Sequence, residues 1–231
     1  QTIPTDDFVI VCDGPLTPEL DAVLEECASA RPDLFRIVRL PENRGIGGAA
    51  NEGLKSCKNE LVAKMDADDI AKRNRCERQL KLFEEKPELD IVGAQLEEFL
   101  NTPENIVAVR KVPLTYSEIV RYAKRRMPFN NQTVMYKKSA VYAAGGYSDL
   151  RRCEDYDLYV RMLQRGSKAE NLDEVLVSFR LTDNAYARRG ASDNLKGFVW
   201  VRWKIHKSGF SSFWDFLIPC AGPFIRISKQ A

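Results

Sequence analysis

Leu61-Val62-Ala63-Lys64-Met65-Asp66-Ala67-Asp68-Asp69-Ile70 decides how the rest of this chain is read. An apolar run with the composition of a short buried strand delivers three carboxylates in the pattern Asp-x-Asp-Asp. Acid groups crowded this closely repel one another and are costly to desolvate at a sheet edge. A hard divalent cation, Mg²⁺ or Mn²⁺, relieves that cost, because it takes oxygen ligands and bridges one or two carboxylates to substrate phosphates. The same residues also suit a solvated acidic turn capping the next helix, since Asp is a good N-cap. Both readings stand on this segment alone.

Upstream, Phe8-Val9-Ile10-Val11-Cys12 reads as a strand buried on both faces and ended by Gly14-Pro15. Asp13 then sits at the carboxyl end of a buried strand, the edge where open α/β sheets bind ligands. Thr17-Pro18-Glu19 starts a helix, with Thr as N-cap and Pro in the first helical position. A second strand follows at Phe35 to Leu40. The stretch Glu42 to Leu54, rich in glycine and alanine, permits close approach of backbone to a ligand, and its helix offers free N–H groups to an anion. It is neither Gly-x-Gly-x-x-Gly nor a Walker loop, and small residues serve tight helix–sheet packing equally well.

Downstream of the acidic run, Ala71 to Lys86 has the pattern of an amphipathic helix charged on its outer side, and Ile91-Val92-Gly93-Ala94 follows as a strand. Strands alternating with helices predict a mostly parallel, doubly wound α/β sheet. Ile106 to Val109 reads as an antiparallel ribbon, Ser117 to Arg126 as a helix with a basic end, and Thr133 to Lys138 as a strand of mixed polarity. Glu154-Asp155-Tyr156-Asp157 opens a helix with a carboxylate cluster. Dipole-favoured capping accounts for Glu154 and Asp155, but not for three acids packed so tightly among aromatics. Val175 to Arg180 is a further strand, followed by a loop with Arg188 and Arg189.

The chain has 231 residues, 44% hydrophobic and 29% charged, which suits one large domain or a domain with an extension. A net charge of +2 argues against a dedicated nucleic-acid binder. Six scattered cysteines without a Cys-x-x-Cys pair point to reduced thiols and a cytoplasmic protein. No signal peptide or membrane-spanning run is seen. His206, the only histidine, excludes a His-ligated zinc centre. From about residue 191 the chain reads as a helical extension in which Trp200, Trp203, Phe213 and Trp214 interleave with Arg202, Lys204 and Lys207. Such a segment either lies on the inner face of an anionic membrane or packs back on the domain with a solvated basic side.

Taken together, four segments in this order resemble the GT-A glycosyltransferases of family 2, of the bacterial capsule and O-antigen type. They are Val9 to Gly14, Glu42 to Leu54, Lys64 to Asp69, and Thr133 to Lys138 with Gly145-Gly146-Tyr147 and Glu154 to Asp157. The resemblance covers residues 1–190 as a catalytic domain and leaves 191–231 as the extension. It implies a nucleotide-sugar donor, UDP-linked by expectation, and a lipid-linked glycan acceptor. Asp13, with Gly14, would bind the base, and the loop from Gly45 to Asn51 would border the donor. Asp66 would contact ribose or metal, and Asp68 would hold Mg²⁺ or Mn²⁺ on the diphosphate. Asp155 would be the general base, Glu154 would support the acceptor, and Arg188 and Arg189 would close over the diphosphate. One carboxylate base opposite the leaving group implies inversion.

Two departures accompany this resemblance. Relatives carry a strand and helix before the counterpart of Phe8. The expectation is therefore that about thirty residues, the size of a β–α unit, are missing ahead of Gln1, or that the chain is a fragment with an incomplete donor site. Relatives also carry His after Phe-Asn, where Asn131 follows Phe129-Asn130 here; Asn131 keeps hydrogen bonding but does not titrate. Two further classes remain open: a non-catalytic, membrane-associated sugar-nucleotide-binding subunit, and a nucleotidyltransferase, for which a basic glycine-rich triphosphate loop is lacking.

Overall fold

The computed structural model describes residues 1–181 and 192–219. The first apolar run forms β1 (Phe8–Cys12), and Thr17 caps α1 (Pro18–Ala30), its hydroxyl accepting from the Leu20 amide at 3.5 Å. β2 (Phe35–Arg39) lies parallel to β1, with Phe8 opposite Phe35 and Cys12 opposite Arg39. α2 (Gly45–Ser56) packs closely on this pair at Gly53, where a Cβ would stand only 3.0 Å from Val11.

The remaining strands build a second, six-stranded sheet: β3 (Leu61–Ala63), β4 (Ile70–Ala71), β5 (Leu89–Leu100), β6 (Ile106–Arg110), β7 (Met135–Lys137) and β8 (Lys168–Leu181). Their order is β3-β7-β5-β8-β4, with β6 also on β5. This sheet is mixed: its longest ladder, β5–β8, is parallel as expected, and its shorter ones are antiparallel. Among the described pairings β1–β2 and β5–β8 are parallel, whereas β3–β7, β4–β8, β5–β6 and β5–β7 are antiparallel. The physical reason is β7, which returns after the β6 ribbon and inserts between β3 and β5. That is the place a doubly wound order gives to a parallel neighbour. The ribbon expected over Ile106 to Val109 is present as β6, antiparallel to β5.

Helices cover the sheet: α3 (Arg75–Glu85), α4 (Tyr116–Ala123), the short α5 (Lys138–Ala143), α6 (Glu154–Gln164) and α7 (Ser192–Lys207). α3 starts four residues later than its pattern suggests, because Ile70–Ala71 first pairs with Ser178 and Val177 of β8. The Thr115/Glu118 capping box fixes the start of α4. The main core joins Ile91, Ile119, Phe129, Leu158, Tyr159 and Met162 with Val201 and Ile205 of α7, so one face of the C-terminal helix is buried on α6. Lys204 adds an ion pair to Asp157, Nζ to Oδ1 2.8 Å. The opposite face, with Trp200 and Trp203, is exposed.

Among the described residues β1 pairs only with β2, and β3 is the end strand of its sheet. The two strands begin at the same level, tied by the Lys58 amide on Asp7 Oδ2 (2.7 Å) and Asn59 Nδ2 on Asp6 Oδ1 (2.7 Å). A cleft of about 3030 Å³ lies against both, lined by Val9, Val11, Leu61, Val62 and, from α2, Ala49 and Leu54. That is several times the usual volume of a small-molecule site, about 300–1,000 Å³.

Candidate active site

The acidic run is held at both ends. At its start the Lys64 amide donates to Val134 O at 2.9 Å, extending the β3–β7 contact. Beneath it lies the buried guanidinium of Arg75, which donates to Lys64 O (2.7 Å), Val134 O (3.3 Å) and Gln79 Oε1 (3.1 Å). Gln79 in turn donates to Val92 O (2.9 Å) and Thr133 O (2.8 Å), so one polar network joins α3 to β5 and to the turn before β7. At the other end Asp69 Oδ1 accepts the Arg180 amide at 3.0 Å, docking the run on β8. Burial, with Asp66 and Asp68 close by, pushes the Asp69 carboxyl up to about 6.

Between these anchors Asp66 accepts from Lys64 Nζ at 2.7 Å, while Asp68 is exposed and forms no ion pair with a described residue. Among the described residues no group of three or more His, Cys, Asp or Glu side chains could hold a metal by itself. The carboxylates of Asp66 and Asp68 nevertheless fit a hard cation whose remaining oxygens come from a substrate diphosphate and water, the usual partition for Mg²⁺. Asp69 Oδ2 is buried without a partner, a further oxygen left unsatisfied beside this pair.

Asp13 is built into the loop that opens α2. Its Oδ1 accepts the Arg44 amide at 2.6 Å and its carbonyl accepts from Asn43 Nδ2 at 3.3 Å. Gly14 has φ +102°, and a Cβ there would stand 3.2 Å from the Asn43 nitrogen. Gly45 has φ +76° and donates its amide to Asn43 Oδ1 at 3.1 Å. Asn51 bridges α2 to the loop before α6: Nδ2 donates to Tyr147 O and Oδ1 accepts the Tyr147 amide, each at 2.9 Å. Both ends of its side chain are thus engaged by backbone.

Across the cleft, Cys153 takes the left-handed conformation (φ 63°) as N-cap of α6 and sets Glu154 and Asp155 in the first turn. Glu154 is buried, and burial with the neighbouring Asp155 charge pushes its carboxyl up to about 7. Burial also raises the Asp155 carboxyl; Asp66 adds to that and Lys64 opposes it, so the two acid groups and one lysine form an electrostatic unit. Asp155 Oδ1 accepts the Tyr156 amide at 2.7 Å. Asn131 Oδ1 accepts from the Tyr159 hydroxyl at 2.8 Å.

Asp13, Asp66, Asp68, Asn131, Glu154 and Asp155 therefore line one cleft. Gly14, Gly45 and Asn51 shape its walls without lining it, and Arg188 and Arg189 lie outside the described residues. Sequence reasoning missed Arg75 and Lys64. A cation two residues before an acidic run was the available signal for Lys64, while Arg75 looked like one more outer charge of an amphipathic helix.

The raised Glu154 carboxyl has a consequence for stability. In the unfolded chain Glu154 ionises near its usual range, about 4.3, so between there and about 7 the folded state binds the extra proton and stability falls as pH rises. Glu154→Gln is expected to raise stability at pH 8 by about 2 kcal/mol and to leave it nearly unchanged at pH 4, read by urea unfolding at both pH values. An equal effect at both would show that Glu154 does not carry this penalty.

A mixed α/β fold whose strand ends gather acid groups around a cleft is the GT-A type. Residues 1–150 match the model of glycosyl transferase family 2. The chain is 40% identical over 207 residues to an uncharacterized glycosyltransferase of Haemophilus influenzae, covering 90% of this chain and 74% of the relative. It is 32% identical over 219 residues to the Escherichia coli UDP-Gal:alpha-D-GlcNAc-diphosphoundecaprenol beta-1,3-galactosyltransferase, covering 94% of this chain and 78% of that one. The fold is shared with a mannosyltransferase from Pyrobaculum calidifontis solved with GDP-Man and Mn²⁺, at TM-score 0.67 and 17% identity, over 96% of this chain and 66% of that one, just under two thirds of its length. The chain belongs to glycosyl transferase family 2.

Proposed function

We propose that this chain transfers a sugar, with inversion, from a UDP-linked donor to a lipid-linked oligosaccharide during bacterial surface polysaccharide synthesis, at the cytoplasmic face of the membrane. The observation that carries this reading is that one cleft gathers Asp13, Asp66 and Asp68 from strand ends and Asp155 from a helix N-terminus. The Escherichia coli relative, named for a UDP-Gal donor and a diphosphoundecaprenol-linked acceptor, supports the substrate classes.

Asp155, ionised, takes the proton of the acceptor hydroxyl as its oxygen bonds to the anomeric carbon and the bond to the diphosphate oxygen breaks; the diphosphate leaves with the electron pair. A divalent cation held by Asp66 and Asp68 would neutralise charge on the departing diphosphate. Lys64 orients Asp66 and favours the ionised form of Asp155. Glu154, neutral below about 7, can donate a hydrogen bond to the acceptor. Asp13, at the end of its strand, would bind the base.

The test is thermal unfolding with UDP, GDP and dTDP, each with and without Mn²⁺, on this chain and on Asp68→Asn. A ligand at a hundredfold excess over its Kd stabilises by about 2.7 kcal/mol. The expected result is Mn²⁺-dependent stabilisation by UDP alone that Asp68→Asn abolishes. Stabilisation that survives in Asp68→Asn would remove the metal assignment, and stabilisation by GDP or dTDP instead would replace the donor class.

A further inference from the structure

The cleft does not end at Asp155. From Glu154 and Asp155 it continues past Phe198 to Arg121, Tyr122, Lys124, Arg125 and Arg126 at the end of α4, and to Ile218 and Pro219. These cations follow one another where α4 ends, and Arg121, Arg125 and Arg126 are exposed. Arg125 is fixed by Asp215 (Nε to Oδ1 2.6 Å), and Lys124 lends its carbonyl to Arg202. Arg121, Lys124 and Arg126 make no ion pair with a described residue, so positive charge is left over at this end of the cleft.

Beside that end lies an aromatic face. Trp203 meets Phe216 (ring centroids 5.8 Å apart), His206 meets Phe213 (6.1 Å), and Phe213 meets Trp214 (5.9 Å). Trp214 is 66% exposed, and Phe213 and Ile218 are each 54% exposed. Trp200 and Trp203 are exposed one turn apart on α7, with Lys204 and Lys207 over their rings at 4.6 and 4.9 Å. Large side chains left this open in a contiguous face mark an interaction site rather than ordinary surface. Lys204 is held by Asp157, whereas Lys207 makes no ion pair with a described residue; exposed aromatic rings beside such a cation match a membrane interface, where the rings sit at headgroup level and the cation meets anionic lipid.

We propose that residues 200–218 rest on an anionic lipid surface and that Arg121, Lys124 and Arg126 bind the phosphates of a lipid headgroup at the cleft mouth. This orients a glycan attached to that headgroup along the cleft toward Asp155. The proposal rests on the lipid-linked acceptor read above and assigns it a subsite. At that end of the cleft four cations, Arg121, Lys124, Arg125 and Arg126, outnumber the acids Glu118 and Asp215. Among the described residues no helix is long and apolar enough to cross a membrane.

Flotation of this chain with vesicles tests it, without any sugar donor. Three compositions are compared: phosphatidylcholine alone, phosphatidylcholine with 30 mol% phosphatidylglycerol, and phosphatidylcholine with 2 mol% of a polyprenyl diphosphate. Binding is expected to the second and third, weakening as salt is raised. Trp214→Ser with Ile218→Ser is expected to lower binding to both at least tenfold. Arg121→Ser with Arg126→Ser is expected to lower binding to the polyprenyl diphosphate vesicles about 25-fold, at about fivefold per cation. All four side chains lie at the surface or the cleft mouth, and unchanged thermal unfolding of each double variant confirms that the fold is kept.

Equal binding to phosphatidylcholine alone, binding that ignores the arginine substitutions, or a stable dimer lost with the Trp214/Ile218 substitutions would each overturn the proposal. UDP-dependent stabilisation without vesicle binding would overturn this subsite and leave the glycosyltransferase reading intact. Vesicle binding without nucleotide binding would do the reverse.

Discussion

Asp155→Asn is expected to lower turnover by about 10³-fold while leaving donor binding unchanged. General-base catalysis contributes typically about 10²–10⁴-fold, and an amide of the same shape cannot take the acceptor proton. The substitution keeps an oxygen for the Tyr156 amide, so the first turn of α6 retains its hydrogen bond. It also removes a half-buried carboxyl raised by its surroundings, so the variant should unfold no more readily than the parent at pH 8. In the parent, transfer should rise with pH through the raised Asp155 carboxyl, since the ionised form does the work. Steady-state transfer from UDP-sugars together with UDP-induced thermal shifts separates the two effects. Turnover within tenfold of the parent would remove Asp155 from the chemistry.

Arg75→Leu is expected to cost about 3–5 kcal/mol, the largest stability effect of any single substitution considered. The leucine fills part of the volume but leaves Lys64 O and Gln79 Oε1 without their buried donor, while Val134 O keeps the Lys64 amide, and each orphaned acceptor costs about 1–3 kcal/mol. Because whole domains are stable by only about 5–15 kcal/mol, this is a large share of the total. Urea denaturation reads the loss directly. A shift below 1 kcal/mol would mean that water replaces the guanidinium and that the network does not hold β3 in place.

The strands and most helices were legible because their signals are local. Thr17-Pro18 caps a helix wherever it folds, and an unbroken apolar run such as Phe8 to Cys12 has few uses other than a buried strand. The acid residues were legible by type and order, and Asp13, Asp66, Asp68, Glu154 and Asp155 do line one cleft. Sheet direction was not legible, because β7 pairs with residues that lie about 45 and 75 positions away, and period-2 patterning says nothing about which neighbour a strand will choose. Nor was the engagement of Asn51 by Tyr147, ninety-six residues on, or the burial of Arg75, two of whose partners are backbone carbonyls that carry no sequence signature.

The facing margins of β1 and β3 bear on how this 231-residue chain behaves at high concentration. Each offers a row of backbone donors and acceptors that no described strand takes up, beside apolar side chains, and such a margin is a template for any extended chain that reaches it. Refolding at low protein concentration, or expression behind a soluble partner, should therefore matter more for yield than the choice of buffer. The dilution at which the protein stays clear becomes a simple gauge of whether that gap is closed in solution.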